Sequence, residues 1–454
     1  MSAEDEVRGL IERSVAEIVS SITLNLGTQQ FSEIVAHTQD VVNRLGTSLI
    51  ETVMREIDDR YAAERDRKRY AVRHDKSRRL LSQMGEITLQ RRLYFDKTDK
   101  KYFFALDELL KIEKRSRIET NMKRQLVQDA TMTSYGKASQ RAGNRVSRQT
   151  VHNIVKSVPT EKFEVRPQGY RKIDTIFIEA DEDHIHLNTG QSTEVKLVYV
   201  HEGTRRVCHG RSELINPRYF VSVSNDADEI WSEVADYLYS QYKMRSADVH
   251  ISGDGASWIK YGLQVIPQAQ YHLDKFHVYK SVTDVAGGDK SLRRGIINAI
   301  KFKDLDRVRE LYAARSQKSE TVRGRKNVAD GLFYIQNNFD EINLSPLAIG
   351  CAAEGHVSHI LSERMSSRPM GWSKTGARQM AKLRAFHFNG GDYAELFAAQ
   401  SVEEENTKEK LRPYKMRVVE NHKPSNYVAT AHIVGLDGIK DGLNTILKAI
   451  LRRK

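Results

Sequence analysis

The chain has 454 residues, more than a single hydrophobic core usually organises, and 72 Lys and Arg against 60 Asp and Glu give a net charge of +12. That balance favours a polyanionic partner, nucleic acid first, over a protein that is merely basic on average. Two cysteines, Cys208 and Cys351, exclude a disulfide framework and argue against a thiolate zinc site, while an acidic start and the lack of a bilayer-length apolar run argue against secretion and membrane insertion.

Residues 31–61 carry Val41, Val42, Leu45, Leu49, Val53, Ile57 and Tyr61 at mostly four-residue steps, the spacing of one buried helical face. Residues 60–79 then hold Arg65, Arg67, Lys68, Arg69, Arg73, Lys76, Arg78 and Arg79 with few apolar partners, so this stretch reads as a solvated linker or a phosphate-contacting arm. Residues 85–95 and 101–106 flank a polar turn and form a hairpin candidate. Two helices follow, over 130–143 and 147–156, with Ser147 placed as an N-cap and Val151, Ile154, Val155 and Val158 turned inward. The pair resembles a helix-turn-helix in which Arg148, Gln149 and His152 face the major groove; an ordinary helical hairpin is the alternative.

The middle of the chain alternates strands with helices. Residues 171–180 form an apolar strand that delivers Asp181-Glu-Asp-His184, and 194–201 and 205–209 follow as further antiparallel strands around a Glu202-Gly-Thr turn. A helix over 226–243 exposes one face of Ile230, Val234, Leu238 and Tyr242 to the core. A fourth strand at 248–252 ends in Gly253-Asp-Gly255, and a short helix near 258–263 leads to a last strand at 270–273. This order predicts an α/β fold with a mixed sheet of the RNase H type, whose first and fourth strands lie side by side. Asp181 and Asp254 then become neighbours, and two carboxylates so placed are tolerable chiefly around a divalent cation, Mg²⁺ or Mn²⁺ given oxygen ligands alone. Asp254 in Gly-Asp-Gly also reads as a turn residue, and Asp183 competes with Asp181 from the same strand face.

Beyond the sheet, Ile296, Ile300, Leu305, Val308, Leu311, Leu332, Ile335 and Phe339 mark a helical insertion. Its basic connection at 315–326, with Lys318, Arg323, Arg325 and Lys326, contacts DNA or is a solvated loop. Residues 350–373 then place Glu354 at the head of an amphipathic helix followed by Arg364, Arg368, Lys374, Arg378, Lys382 and Arg384. These cations suit phosphate backbones, with a solvated helix face as the alternative, and Met370 and Trp372 among them suit an anchor. Glu363 reads as a partner for neighbouring cations such as Arg364. A charged tail closes the chain, with a last helix near 443–451.

Four stretches, Ile-Glu-Ala-Asp181-Glu-Asp-His, Ser-Gly-Asp254-Gly-Ala-Ser-Trp, Leu-Asp274-Lys-Phe-His277 and the Glu354 segment, together resemble the bacterial insertion-sequence transposases of the ISLre type, within the Mutator-like DDE group. The resemblance covers roughly residues 80–390. It implies an RNase H-like core in which Asp181, Asp254 and Glu354 bind two Mg²⁺ (or Mn²⁺) ions, Asp181 bridging them. It also implies that Asp274 and His277 lie near the metals, although an N-cap aspartate with a surface histidine fits the same letters. The chemistry implied is cleavage at the element's ends followed by attack of the freed 3′ hydroxyl on target DNA. The expected partners are double-stranded DNA and further copies of the chain in a homo-oligomeric DNA complex, in a bacterial cytoplasm at the nucleoid. A Mg²⁺-dependent nuclease and a non-catalytic DNA-binding regulator are the alternatives. The expected divisions are a helical region and basic linker (1–80), hairpin plus helix-turn-helix (81–165), core (166–282), helical insertion (283–345), final catalytic helix (346–395) and tail (396–454).

Overall fold

In the computed structural model, which describes residues 3–24, 30–160, 170–345 and 349–397, the basic stretch expected as a linker or arm instead closes a helix at 60–64, turns, and runs as a strand from Tyr70. It belongs to the first of two units, which reaches Gln125; the second runs from Leu126 to Leu396. The hairpin therefore falls in the first unit and the helical pair in the second. Beyond Phe397 the expected tail and its last helix lie outside the described residues.

The first unit begins with α1 (Ala3–Leu24) and α2 (Phe31–Glu64), joined by Arg44–Glu17 at 2.6 Å and Arg55–Glu6 at 3.2 Å. Along α2 the inward residues are Val41, Ile50, Met54, Ile57 and Tyr61; Val42 and Val53, expected on that face, are about half exposed. Next come β1 (Tyr70–Leu81), β2 (Glu86–Asp96) and β3 (Lys101–Phe104), an antiparallel sheet in that order, and α3 (Ala105–Leu109). The cationic stretch can pair as a strand because later segments bring partners to its charges: Arg69 reaches Asp96 at 2.7 Å and Arg78 reaches Asp107 at 2.9 Å. A helix, α4 (Thr120–Met132), crosses from one unit to the other.

The second unit opens with α5 (Tyr135–Arg141) and α6 (Arg148–Ser157). Gly143 and Asn144 turn the chain between them with φ of 68° and 56°, and Ser147 Oγ caps α6 by accepting from the Thr150 amide. Then follow β4 (Thr175–His186), β5 (Ser192–His201), β6 (Thr204–Cys208), β7 (Arg211–Leu214), β8 (Arg218–Ser222), α7 (Ala227–Gln241), β9 (Asp248–Gly253), α8 (Ser257–Lys260), α9 (Gly262–Val265) and β10 (Ala269–Leu273). Five strands form one mixed sheet, ordered β10-β9-β4-β5-β8, in which β4 runs parallel to β9 and antiparallel to β5. The expected third strand at 205–209 is not in it. That segment is β6, which pairs with β7 in a separate exposed ribbon, and its place is taken by β8, whose Tyr219, Phe220 and Val221 are buried where the Arg-rich β6 has nothing to bury.

Alternation along β4 decides what each face of the sheet does. Ile176, Ile178 and Ala180 pack with Val198, Val200, Val249 and Ile251 against Ile230, Trp231, Val234 and Leu238 of α7. The odd-numbered residues Glu179, Asp181 and Asp183 therefore face the other way, toward the last helices of the unit. The insertion is built from α10 (Lys275–Ala286), α11 (Lys290–Lys301), α12 (Leu305–Gln317) and α13 (Val322–Asn337) around Val278, Val282, Ile296, Val308, Tyr312 and Ile335. Two cations of its connection are used internally, Arg315 on the Val285 carbonyl and Arg325 on that of Ser319. The chain then returns through α14 (Ala353–Val357), a π turn at Ser358–Ser362, α15 (Glu363–Met365) and α16 (Lys374–Phe388). No described helix is long and apolar enough to cross a membrane.

Candidate metal centre

The parallel pairing of β4 and β9 sets Glu179 opposite Ser252, so Asp181 and Asp254 stand two residues further along their strands. The flanking glycines allow this approach. A Cβ on Gly253 would sit 2.9 Å from the Ala180 carbonyl, and Gly255 has a φ of +99°. Asp254 is a turn residue too, since its Oδ1 accepts the Ala256 amide at 2.9 Å.

Glu354 lies in the first turn of α14, which packs on β4, and its side chain is exposed. Burial pushes the Asp181 carboxyl up to about 6; the negative charges of Asp254 and Glu354 push in the same direction, while the Glu182 amide, at 2.8 Å, and His277 oppose it. Three acids from β4, the end of β9 and α14 thus act on one another from positions 73 and 100 residues apart (254 − 181 and 354 − 254). An oxygen-only set under mutual repulsion fits a hard divalent cation, which would relieve the repulsion without a thiol or a second imidazole.

The neighbouring acids separate by their partners. Asp183 accepts a hydrogen bond from Ser366 Oγ at 2.8 Å, so it ties β4 to the segment after α15. Asp274 is buried, caps α10 through the Phe276 amide and lies 3.7 Å from His277 Nε2. Burial raises its carboxyl, with Glu179 and Glu354 adding to the rise and His277 opposing it. Asp274 is therefore both a cap and part of the acidic neighbourhood, and His277 reaches Asp181 electrostatically. Glu363 pairs with Arg384 at 3.4 Å and His359 at 3.6 Å rather than with Arg364. A second grouping, Glu182, His184 and Glu194, has ligand atoms within 4.8 Å on the opposite face of β4; Glu182 accepts the Trp258 indole N–H at 2.6 Å, and the other two are exposed.

Of the residues expected on DNA, Arg148, Gln149, Arg368 and Lys374 are exposed, and His152 is half-buried beside Tyr135. Gln149 also donates to Asn153 at 2.9 Å, which knits the outer face of α6. Arg378 forms a surface pair with Glu229 at 3.0 Å, a contact weak enough for a phosphate to replace. Arg364, expected on DNA, is buried. It is only 5% exposed, donates to the Ala130 carbonyl at 2.9 Å and lies over the rings of Tyr135 and Trp372, so it holds α4 and α5 instead of reaching solvent. Arg384 is buried likewise, bonded to the carbonyls of His359 and Ile360 within the π turn.

Glu179 is a residue that charge patterning passes over. It is buried yet its carboxyl lies below its ordinary value: burial pushes it up, and hydrogen bonds from His201, Tyr199 and the Ala352 amide outweigh that. Its signal was a lone acid in an apolar strand, two residues before Asp181 and so on the same face.

Residues 26–401, which include every residue of this centre, match the model of the Uncharacterised protein family (UPF0236). The chain belongs to the UPF0236 family. A UPF0236 protein of Caldanaerobacter subterraneus subsp. tengcongensis whose name joins four locus labels is 34% identical over 388 residues, 84% of this chain and 82% of the relative. A second from that organism, whose name joins eleven locus labels, is 34% identical over 80% of this chain and 79% of its own length. A UPF0236 protein of Streptococcus gallolyticus, named for the vanSb 3′ region, is 25% identical over 82% of this chain and 86% of its own.

Proposed function

We propose that this chain is a DNA transposase with an RNase H-like core, which cleaves the ends of an insertion sequence and joins them to target DNA at Asp181, Asp254 and Glu354. The observation that carries this reading is the convergence of those three carboxylates, supplied by the central strand, the adjacent parallel strand and a helix that follows a helical insertion. The sheet order β10-β9-β4-β5-β8, three antiparallel strands followed by two parallel ones, supports the RNase H-like assignment. The relative named from eleven loci supports mobility, since copies of one gene at many positions are what transposition leaves.

Asp181, Asp254 and Glu354 are the residues that would hold the divalent ions. Bound there, such ions stabilise charge on the transferring phosphoryl oxygens and sharpen the attacking hydroxyl or water. The chain's own groups supply the rest. Burial keeps Asp181 fixed at the sheet, while exposed Glu354 leaves that side open to a polymer too large for a closed pocket. His277 offers an imidazole N–H beside the acids for a phosphate oxygen, and exposed Arg368 and Lys374 contact the phosphate backbone. No covalent protein intermediate is required.

The test is incubation of the purified chain with Mg²⁺ and duplexes carrying the DNA that bounds its gene. The expected products are cleaved ends and ends joined to a second duplex. Cleavage that never yields joined molecules points to a nuclease, and binding with no metal-dependent cleavage points to a regulator.

A further inference from the structure

Glu354 is brought to the sheet by a short segment whose position depends on one buried side chain. Glu179 Oε2 accepts the Ala352 amide at 2.5 Å and the Tyr199 hydroxyl at 2.6 Å, and Oε1 accepts His201 Nε2 at 3.0 Å. Tyr199 and His201 belong to β5, with Tyr199 directly opposite Glu179. The Cys351 thiol bonds the same carboxylate. On the far side of Glu354, the His356 ring packs at a tilt against Tyr199 with centroids 4.5 Å apart and meets the Tyr219 hydroxyl at 3.3 Å. Both flanks of Glu354 are thus fastened to the sheet that carries Asp181, the Ala352 side to β4 through Glu179 and the His356 side to β5 and β8.

A buried carboxylate is costly, and an apolar residue of similar size would serve a purely structural position at lower cost. Both oxygens of Glu179 are committed to protein donors, so it is not arranged as a ligand itself. We propose that Glu179 is a positioning residue, which sets the distance between Glu354 and Asp181 by gripping the backbone just before α14. This rests on the three-acid reading above, and it adds what aligns the third acid with the other two.

The experiment uses the full chain without DNA. Mn²⁺ affinity by calorimetry, melting temperature without metal, and hydrogen exchange across 350–357 are measured for wild type, Glu179→Ala, Glu179→Gln and Glu179→Asp. Glu179→Ala is expected to weaken Mn²⁺ binding about 10- to 100-fold, the usual cost of losing an outer partner of a metal ligand, and to lose protection at the Ala352 amide. Glu179→Gln is expected to recover most of that affinity. Its carbonyl can accept from Ala352 and Tyr199 while its NH₂ donates to His201 Nε2; the ring proton then moves to Nδ1, which exchanges the Gly203 amide it accepts at 3.2 Å for donation to the Gly203 carbonyl 3.0 Å away. Glu179→Asp keeps the charge but loses reach, and is expected to weaken binding about tenfold; it carries the test if the alanine variant does not fold. Wild-type Mn²⁺ affinity in folded Glu179→Ala or Glu179→Asp overturns the proposal, as does a glutamine variant no better than alanine. Asp254→Ala is run beside them: if it binds Mn²⁺ like wild type, the three-acid reading fails, whereas silence confined to the Glu179 variants removes only the positioning role.

Discussion

Asp181→Ala, Asp254→Ala and Glu354→Ala are each expected to slow Mg²⁺-dependent cleavage of end-bearing DNA by about 10³-fold or more, with DNA affinity within a few fold of wild type. A loss of that size is about 4 kcal/mol of transition-state stabilisation, the scale of removing a ligand that holds charge against a transferring phosphoryl group. Under the proposed function affinity would be spared, because binding would draw on exposed cations such as Arg148, Arg368 and Lys374. Asp183 gives the contrast, since its carboxylate is engaged by Ser366 and its loss should lower cleavage far less. Single-turnover cleavage on gels, with binding measured separately, decides the matter. Wild-type cleavage by both Asp254→Ala and Glu354→Ala would remove the triad.

The largest stability effect should come from a residue that the charge pattern assigns to DNA. Arg384→Ala is expected to destabilise the protein by about 3–5 kcal/mol, roughly a 10 °C fall in melting temperature. Arg384 is fully buried and donates to the carbonyls of Ile360 and His359, both at 2.6 Å, and Thr131 at 3.2 Å, with Glu363 at 3.4 Å. A π turn leaves carbonyls out of step with the next helical turn, and a guanidinium can satisfy several at once. Alanine would leave those acceptors buried and unmatched beside an empty volume. Arg368→Ala, at an exposed position, should change stability by less than about 0.5 kcal/mol. Urea unfolding of the two variants checks the pair; an Arg384→Ala loss under about 1 kcal/mol contradicts the role given to it.

Strand alternation and acid placement were legible because they follow from short-range rules. The apolar run before Asp181, the Gly-Asp-Gly stop after β9 and the helical period of the insertion each specify local structure, and pairing of β4 with β9 follows from connection rules. What sequence alone left out depends on three-dimensional burial. Arg364 and Arg384 read as cations on a helix after Glu354, and nothing in their spacing tells that carbonyls of α4 and the π turn wait for them. The basic stretch that runs into β1 is opaque for the same reason, since Asp96 and Asp107, which accept its arginines, arrive from elsewhere in the chain. Substitution of β8 for β6 in the sheet turned on three buried residues, Tyr219, Phe220 and Val221, in a segment too short to register as periodic. Glu179 was hidden by the rule that buried acids are rare, although its parity with Asp181 was visible.

Calorimetric titration of Mn²⁺ into the DNA-free chain at about pH 7.5 and about pH 5 tests the metal centre most directly. Asp181 must lose its proton to act as a ligand, and with its carboxyl pushed up to about 6 it is ionised at the higher pH and mostly protonated at the lower. Wild type is therefore expected to bind Mn²⁺ at about pH 7.5 and about tenfold more weakly at about pH 5, with Asp181→Asn and Asp254→Asn at least about 100-fold weaker than wild type at the higher pH. Equal Mn²⁺ affinity in wild type and both asparagine variants would contradict a divalent-ion centre at these acids.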